Sequence, residues 1–514
     1  LLQADGRLHP VDIRHHDAGE TLPNPRDLDR RIAEVVRTLD APGDVLVFLP
    51  GKAEIAAAEL ALRGLPVDLV PLHGGLSLDA QSRVFEPTKR RKVVLSTNVA
   101  ETSLTVPGIG VVIDSGLVRR TSYHRGRAHL ALLPIAQDAA DQRAGRAGRT
   151  GPGVCIRLWA RRGALEERTP PEIHRESLVP LLLSAAAFGH PDVEKLPLLD
   201  PPKDSAVEDA RDELRALGAI DDAGAVTGAG RQLFGLPIDA SLGRLIVEAR
   251  ALAERDDDEA VLQDVVDLVA ALSSGRRFFH GPPELEDPIR FDACDASALV
   301  RAVRFGGGSV DRLARRDAQS VARRLRTVLS LPSPSHEDVD ARRLREVALG
   351  ADARNAHVVR RRSSKKSERF AFANGGTELQ LARESAVWKA LDVRPGEVAA
   401  EAIVVFDVRA FGTGKDRRLL ATCASPCDLA TMRDAGLGRP RLARTWVKKK
   451  RVLAEIEIVF AKKVLATREE VPVGEVARAA IVDLLKRGSL FKKSIRETKV
   501  RLDARATSPT GTSS

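Results

Sequence analysis

Aromatic residues make up only 4% of the 514-residue chain, with one tyrosine and three tryptophans. So thin a supply excludes a dedicated base-stacking platform such as an RNA-recognition motif. The four cysteines, Cys155, Cys294, Cys423 and Cys427, are too few for a disulfide framework at this length. Cys423-x-x-x-Cys427 lacks two further ligands that a zinc site needs, so no metal is expected and the pair reads as small buried hydrophobes. No apolar run approaches the ~20 residues of a bilayer span. The best, residues 179–188, is interrupted by Pro180 and Ser184. The opening LLQADGRLHP has no apolar stretch after a basic start, so no secretory signal is expected. These absences predict a cytoplasmic, reducing location and no membrane partner. Methionine occurs once, at Met432, and the chain begins with Leu1, so either an unusual start codon serves or the amino end is missing.

What is present is ample for folding. Length predicts about three to four domains of ~150 residues, and 43% hydrophobic residues supply each with a core. Eighty-one Lys and Arg against 71 Asp and Glu leave +10, an excess that suits a polyanionic partner. Across residues 44–159 short runs, VLVFLP (45–50), VDLVPL (67–72), KVVLST (92–97), GVVIDS (110–115) and VCIRLW (154–159), are apolar on both sides, as strands buried between helix layers are. Between the first two, Ile55, Ala58 and Leu62 share one helical face and Gly64 ends the helix. Strand, helix, strand implies a right-handed parallel unit and an α/β sheet.

Helical, Ala- and Leu-rich sequence follows. Residues 208–220 place Ala210, Leu214, Leu217 and Ile220 on one face and lead into a short GAVT run, a pattern shared by a winged helix and by a plain helix-turn-strand. Residues 237–330 predict a bundle of amphipathic helices, and LPSPSHE (331–337) a linker. Beyond it, Asn374-Gly375 between alternating runs predicts a hairpin at 370–381, and the runs at 401–411 and 451–461 predict further strands of a small β-rich domain. The tail, 501–514, is expected to be disordered.

The most informative segment is DQRAGRAGRTGPG, 141–153, where Arg143, Arg146 and Arg149 recur every three residues with small residues between. Such a cluster can meet phosphate oxygens through forked hydrogen bonds, although a solvated Arg-Gly loop has the same composition. Ser96, Thr97 and Asn98 sit where a parallel strand ends, the usual place for ligand contacts in an open α/β sheet.

The succession VLVFLPG, HGGLSLDAQSRVF, STNVAETSLTVPG, QRAGRAGR resembles the second RecA-like lobe of DEAH-box helicases of superfamily 2, the last two segments matching motifs V and VI. Gln142 belongs to that distinction, because DEAD-box relatives usually have His there. The helical sequence that follows is similar to the winged-helix and ratchet domains of the same family, and RNAHVVRRR with RFAFANGGTEL to the carboxy-terminal region of bacterial HrpB-type helicases. The resemblance implies an inter-lobe segment (1–26), a RecA-like lobe (27–160), a winged-helix-like domain (161–236), a ratchet-like bundle (237–330) and a C-terminal β-rich domain (338–500). It implies that Arg146 and Arg149 are arginine fingers for ATP bound to another lobe, that Gln142 orients the attacking water, and that Thr105 senses the nucleotide. Thr97 and Asn98 would contact the backbone of single-stranded RNA or DNA. LVRRTSYHRGRAHLALL (117–133) would form the family's wedge hairpin with Arg119, Arg120, Arg125 and Arg127 near its tip, or else a solvated basic loop. Pro107 stands where the family usually has an acidic residue, which puts a nucleotide contact through that carboxylate in doubt.

The Walker A loop that cradles the phosphates and the acidic strand end that holds Mg²⁺ are not found among these residues. GTGKD (412–416) lacks the earlier glycine and the hydroxyl after Lys, and the DEAV string at Asp258 lies in a helical stretch. ATP and Mg²⁺ would therefore be held mainly by a first lobe, and the opening residues look like the sequence that follows it. Two functions fit: part of an ATP-dependent helicase, or a nucleic-acid-binding or regulatory module without its own ATPase. Two basic clusters, 360–369 and 441–451, the second with Trp446, could track a phosphate backbone or simply be solvated.

Overall fold

The computed structural model describes residues 9–490 apart from 17–21, 75, 77, 103, 125–126, 282, 284–293, 365–366, 389–399, 412–417, 450 and 488. The chain divides into two compact units: Leu1–Leu178 with Pro197–Val207 and Ala410–Arg417, and Val179–Leu196 with Glu208–Arg409 and Arg418–Ser514. Among the described residues no helix is long and apolar enough to cross a membrane.

The first unit is a six-stranded parallel sheet built from β1 (Val11–His15), β2 (Asp44–Phe48), β3 (Val67–Leu72), β4 (Arg91–Ser96), β5 (Ile109–Asp114) and β8 (Gly153–Arg157), in the order β1-β8-β5-β2-β4-β3. The apolar runs form strands because both of their faces are covered. Val45, Val47, Val93, Leu95, Val111 and Ile113 meet Ile32 and Val36 of α1 (Leu28–Thr38) and Ile55, Ala58 and Leu62 of α2 (Lys52–Leu62). On the other face Leu46, Phe48, Val94 and Val112 pack with Ala100 of α4 (Val99–Thr102) and with Ala144 at the end of α5 (Gln137–Ala144). Each Val or Leu so buried contributes ~1.5–3 kcal/mol, which is why such runs tolerate few polar residues. β6 (Leu117–His124) and β7 (Arg127–Pro134) form the antiparallel hairpin expected at 117–133, a two-stranded sheet of its own.

After β4 the chain returns to the opposite side of β2 to lay down β5. The carboxyl ends of β2, β4 and β5 therefore frame a topological switch point, where open α/β sheets bind ligands.

The second unit begins with helices. α6 (Val179–Ala187), α7 (Asp204–Ala216) and α8 (Gly228–Phe234) accompany one isolated antiparallel bridge, Ile220↔Val226, where the GAVT run was expected to form a β element. α9 (Ala240–Asp256), α10 (Ala260–Ser273), α11 (Asp295–Phe305), α12 (Arg312–Leu329) and α13 (Ala341–Ala351) make the bundle. α10 is buried from Val261 to Ala271, including Asp264 and Asp267. Those carboxylates are satisfied by Arg304 (2.8 and 2.7 Å) and by Arg326 (2.8 Å) from α11 and α12. Removing either arginine would leave the buried Asp267 with one cation in place of two. The 331–337 segment is irregular as expected, yet it is pinned: the Pro332 carbonyl accepts from Gln263 at 2.9 Å and His336 meets Asp264 at 2.7 Å.

The remaining strands, β9 (Ala356–Ser364), β10 (Ser367–Ala373), β11 (Glu378–Leu381), β12 (Ala402–Phe411) and β13 (Arg418–Cys427), close a barrel in the order β10-β11-β13-β12-β9. Four of its pairs are described, and of these only β11–β13 is parallel, the arrangement of an OB fold. The predicted hairpin turn is present: Gly375 adopts φ 95°, and Asn374 Oδ1 accepts from the N–H groups of Gly376 (3.0 Å) and Thr377 (2.8 Å). After α14 (Leu429–Asp434), β14 (Arg439–Lys448), β15 (Arg451–Phe460) and β16 (Lys463–Glu470) form an antiparallel sheet, followed by α15 (Gly474–Lys486). All four cysteines are buried, and burial pushes the thiols of Cys155 and Cys427 up to about 12.

Asp295, in the first turn of α11, accepts from Ser385 Oγ (2.6 Å), Ala386 N (2.8 Å) and Ala424 N (3.1 Å), tying the bundle to the barrel. Burial outweighs these donors and pushes its pKa up to about 6. The unfolded chain releases this proton near ~3.9, so its contribution to stability is complete below that pH and disappears as pH rises through about 6. The difference is about 3 kcal/mol. Denaturant titrations from pH 4 to 7 should show this slope in the native chain and lose it in Asp295→Asn; an unchanged slope would refute the assignment.

Candidate nucleotide and nucleic-acid site

Loops from several strand ends and the segment after α5 converge in the first unit. The three arginines of 143–149 do not share one role. Arg143 lies in the last turn of α5, 1% exposed, with Nε on Glu101 Oε2 at 2.9 Å and Nη1 on Asp114 Oδ1 at 2.9 Å. Nη1 also reaches the Leu117 carbonyl at 3.4 Å, and the guanidinium stands 4.8 Å from the Phe48 ring centroid. Burial alone would lower its pKa, but Asp114 and then Glu101 hold it above the ordinary arginine value. Arg143 is therefore a fixed internal cation, engaged with protein carboxylates.

Beyond α5 the backbone tightens into i→i+3 bonds, Arg146 N to Arg143 O (3.1 Å) and Gly148 N to Gly145 O (3.2 Å). Here Arg146 donates to the carbonyl oxygens of Leu104 (2.9 Å) and Glu101, and Arg149 donates to Thr105 Oγ1. Arg146 is 8% exposed, and burial followed by the charge of Arg149 holds its guanidinium below the usual arginine range. Arg149 and Thr105 are exposed, as is Gln142, one helical turn before Arg146. The segment is fixed against β1 by close backbone packing: a Cβ on Gly148 would come within 2.6 Å of the His9 carbonyl oxygen, and one on Gly153 within 2.3 Å of that of Ala147. Thr105, Arg146 and Arg149 are thus brought together, with Gln142 alongside. Pro107 is exposed on the same loop.

Thr97 and Asn98 lie just past the carboxyl end of β4, Asn98 exposed, Thr97 half-buried with its N–H on Leu72 O at 3.1 Å. One turn of α4 separates them from Glu101, whose carboxylate and carbonyl bind Arg143 and Arg146 respectively. On β6, Arg119 pairs with Glu54 at 2.5 Å beside Gly51, and half-buried Arg120 is pushed below the ordinary arginine range by burial and then by Arg175, with Glu101 opposing. Arg125 lies outside the described residues. Sequence reasoning missed Lys52 and His73, which stand at the same sheet edge after β2 and β3; burial and then Lys52 lower the His73 pKa. Their position at strand ends was the available signal.

The groups gathered here are guanidinium, amide and hydroxyl, whose N–H and O–H donors suit phosphate oxygens. Among the described residues no cluster of His, Cys, Asp or Glu could hold a metal ion. Asp258 accepts from Ala260 N at 3.0 Å just before α10, and residues 412–416 lie outside the described residues.

Residues 28–151 match the helicase conserved C-terminal domain. The chain is similar to the ATP-dependent RNA helicase HrpA of Escherichia coli, 39% identical over 265 residues, covering 49% of this chain and 20% of the relative. A homolog of HrpA in Haemophilus influenzae is 36% identical over 265 residues, again 20% of its length. The chain thus spans about a fifth of these curated relatives. The fold is that of two crystal structures of E. coli HrpB, with TM-scores of 0.67 and 0.68 at 22% and 23% identity, covering 93% of this chain and 55% of theirs. Residues 28–151 are a helicase conserved C-terminal domain, about half of the chain is similar to part of HrpA, and the fold is shared with part of HrpB.

Proposed function

We propose that this chain supplies the second RecA-like lobe and the following domains of an ATP-dependent helicase that moves along single-stranded RNA or DNA. The observation that carries the reading is the gathering of Arg146, Arg149 and Thr105 on one loop-and-turn surface while Arg143 is neutralised inside. The exposed Arg149, with the largely buried Arg146 close by in the same turn, can meet a phosphoryl group as charge builds on its oxygens. Gln142 orients the attacking water, and ATP with Mg²⁺ is carried by a first lobe. Thr97 and Asn98 hold the strand's phosphates, with Arg119 and Arg120 on the hairpin beside it and Arg125 as a further contact. Glu101 links the two ligands, since its carbonyl binds the finger Arg146 and the loop it closes begins at Thr97. In this reading residues 161–236 act as a winged-helix-like domain and 237–330 as a ratchet-like bundle.

A hydrogen bond to a charged phosphate contributes ~1.5–3 kcal/mol, so Thr97→Ala with Asn98→Ala should weaken single-strand affinity by about ten-fold or more. Both side chains are partly or fully exposed, so the melting temperature should not move. Fluorescence anisotropy with labelled oligouridylate at several salt concentrations checks this; unchanged affinity would remove both residues from the site. A binding module without turnover is favoured by one observation, the lack of a Walker A loop among these residues. Loss of ATP turnover in finger variants separates the two.

A further inference from the structure

The basic cluster at 441–451 has no role in the lobe, and its register gives it one. Thr445 of β14 is 5% exposed and donates to Asp483 of α15, so the β14 residues next to it in the pleat, Arg444 and Trp446, face away from that helix. Cross-strand pairing sets Trp446 opposite Leu453, and Lys448 opposite Arg451. Ala454 and Ile456, at 0% and 1% exposed, belong to the covered face, which leaves Leu453 with Trp446 on the open one.

Three features of this open face point to a ligand. Trp446 and Leu453 are only half-buried, an indole beside an aliphatic side chain on a sheet surface. Arg444 and Lys448, two residues to either side of Trp446, are exposed, and by strand rise each lies ~7 Å away along the strand. Finally, like charge accumulates where it opposes folding. Lys448 faces Arg451 directly across the ladder, and Lys449, with φ 49°, continues the run in the turn. Like charges directly opposite destabilise a sheet, and a bound polyanion would relieve them. Of the carboxylates on this face, Glu457 is already paired with Arg441 at 2.5 Å, and Glu455 stands between Arg444 on one side and Glu469 on the other, while the turn end has none opposite. Among the described residues no ion pair engages Arg444, Lys448, Lys449 or Arg451.

We infer that the open face of the β14–β16 sheet is a second single-strand site, in which one base stacks on Trp446 while Arg444 and Lys448 take the flanking phosphates. The inference rests on the nucleic-acid reading above but uses none of the lobe's residues. An indole ringed by cations on an open surface suits an unpaired strand, whose bases have free π-faces, and gives no base-specific contact. The site would hold the strand without selecting its sequence.

Tryptophan fluorescence of the full chain during titration with oligouridylate reads this site directly. Trp159 is 2% exposed, and the Trp388 indole N–H is held by Ala382 O at 2.8 Å. The expected result is saturable quenching in the native chain that is absent in Trp446→Phe and persists in Thr97→Ala/Asn98→Ala. By anisotropy Trp446→Ala should bind about ten-fold more weakly, Trp446→Phe close to native. Lys448→Glu should lower the slope of log affinity against log salt by ~0.7 or more. Quenching that is absent from the native chain, or that survives in Trp446→Phe, would overturn this site and leave the lobe reading standing. Loss of quenching only in Trp446→Phe, with affinity indifferent to Thr97 and Asn98, would uphold this site and overturn the strand contacts of the lobe.

Discussion

Arg143→Ala should destabilise the first unit by about 3–5 kcal/mol, the usual cost of removing one member of a buried ion pair. Asp114 is 0% exposed and would keep its charge with no cation beside it, and its Oδ2 already has no hydrogen-bond partner among the described residues. Glu101 would lose the contact that anchors the turn between β4 and Thr105. Lysine restores the charge, but a point cation cannot hold two carboxylates and the Leu117 carbonyl as a planar fork does, so Arg143→Lys should fall between alanine and native. Denaturant unfolding followed by circular dichroism measures both. Arg143→Ala unfolding at the native midpoint would show that the pair is not the structural clamp described, and would return Arg143 to the pool of phosphate ligands.

The second large effect is kinetic. In a helicase that contains this lobe, Arg149→Ala should lower kcat for ATP by ~10³–10⁵, the range for a finger that stabilises transition-state charge. Its guanidinium is exposed and meets Thr105, so stability should be unaffected. Arg146→Ala should lower kcat similarly and also loosen the loop, because this side chain binds the carbonyls of Leu104 and Glu101. A rise in KM alone, with kcat retained, would place both arginines in ground-state binding.

The sheet was legible because its strands are apolar on both faces, and the DEAH-like order of segments carried the lobe. The division of labour among the arginines was not legible. A spacing of three suggests equivalent residues, whereas Arg143 still belongs to α5 and points into the core, and Arg146 and Arg149 follow the tightened turn. Its partners, Glu101 and Asp114, lie 42 and 29 residues upstream, beyond any local pattern. A signal did exist: Asp114 closes the buried run IGVVID, and an acid in such a place requires a cation. The 331–337 segment misled in a similar way. Its Pro and Ser read as a loose linker, but Gln263 and Asp264 that pin it belong to α10, nearly seventy residues earlier. In the C-terminal region Asn374-Gly375 announced its hairpin locally, while barrel closure depends on the parallel pairing of β11 with β13, which no turn encodes.

The central claim is that one lobe answers ATP and a single strand together. ATP turnover by the helicase containing this chain, measured as single-stranded RNA is titrated in, tests it most directly. The account predicts turnover that rises with RNA, collapses in Arg149→Ala, and does so without loss of RNA affinity. Turnover indifferent to RNA, or retained at the native level in Arg149→Ala, would contradict it.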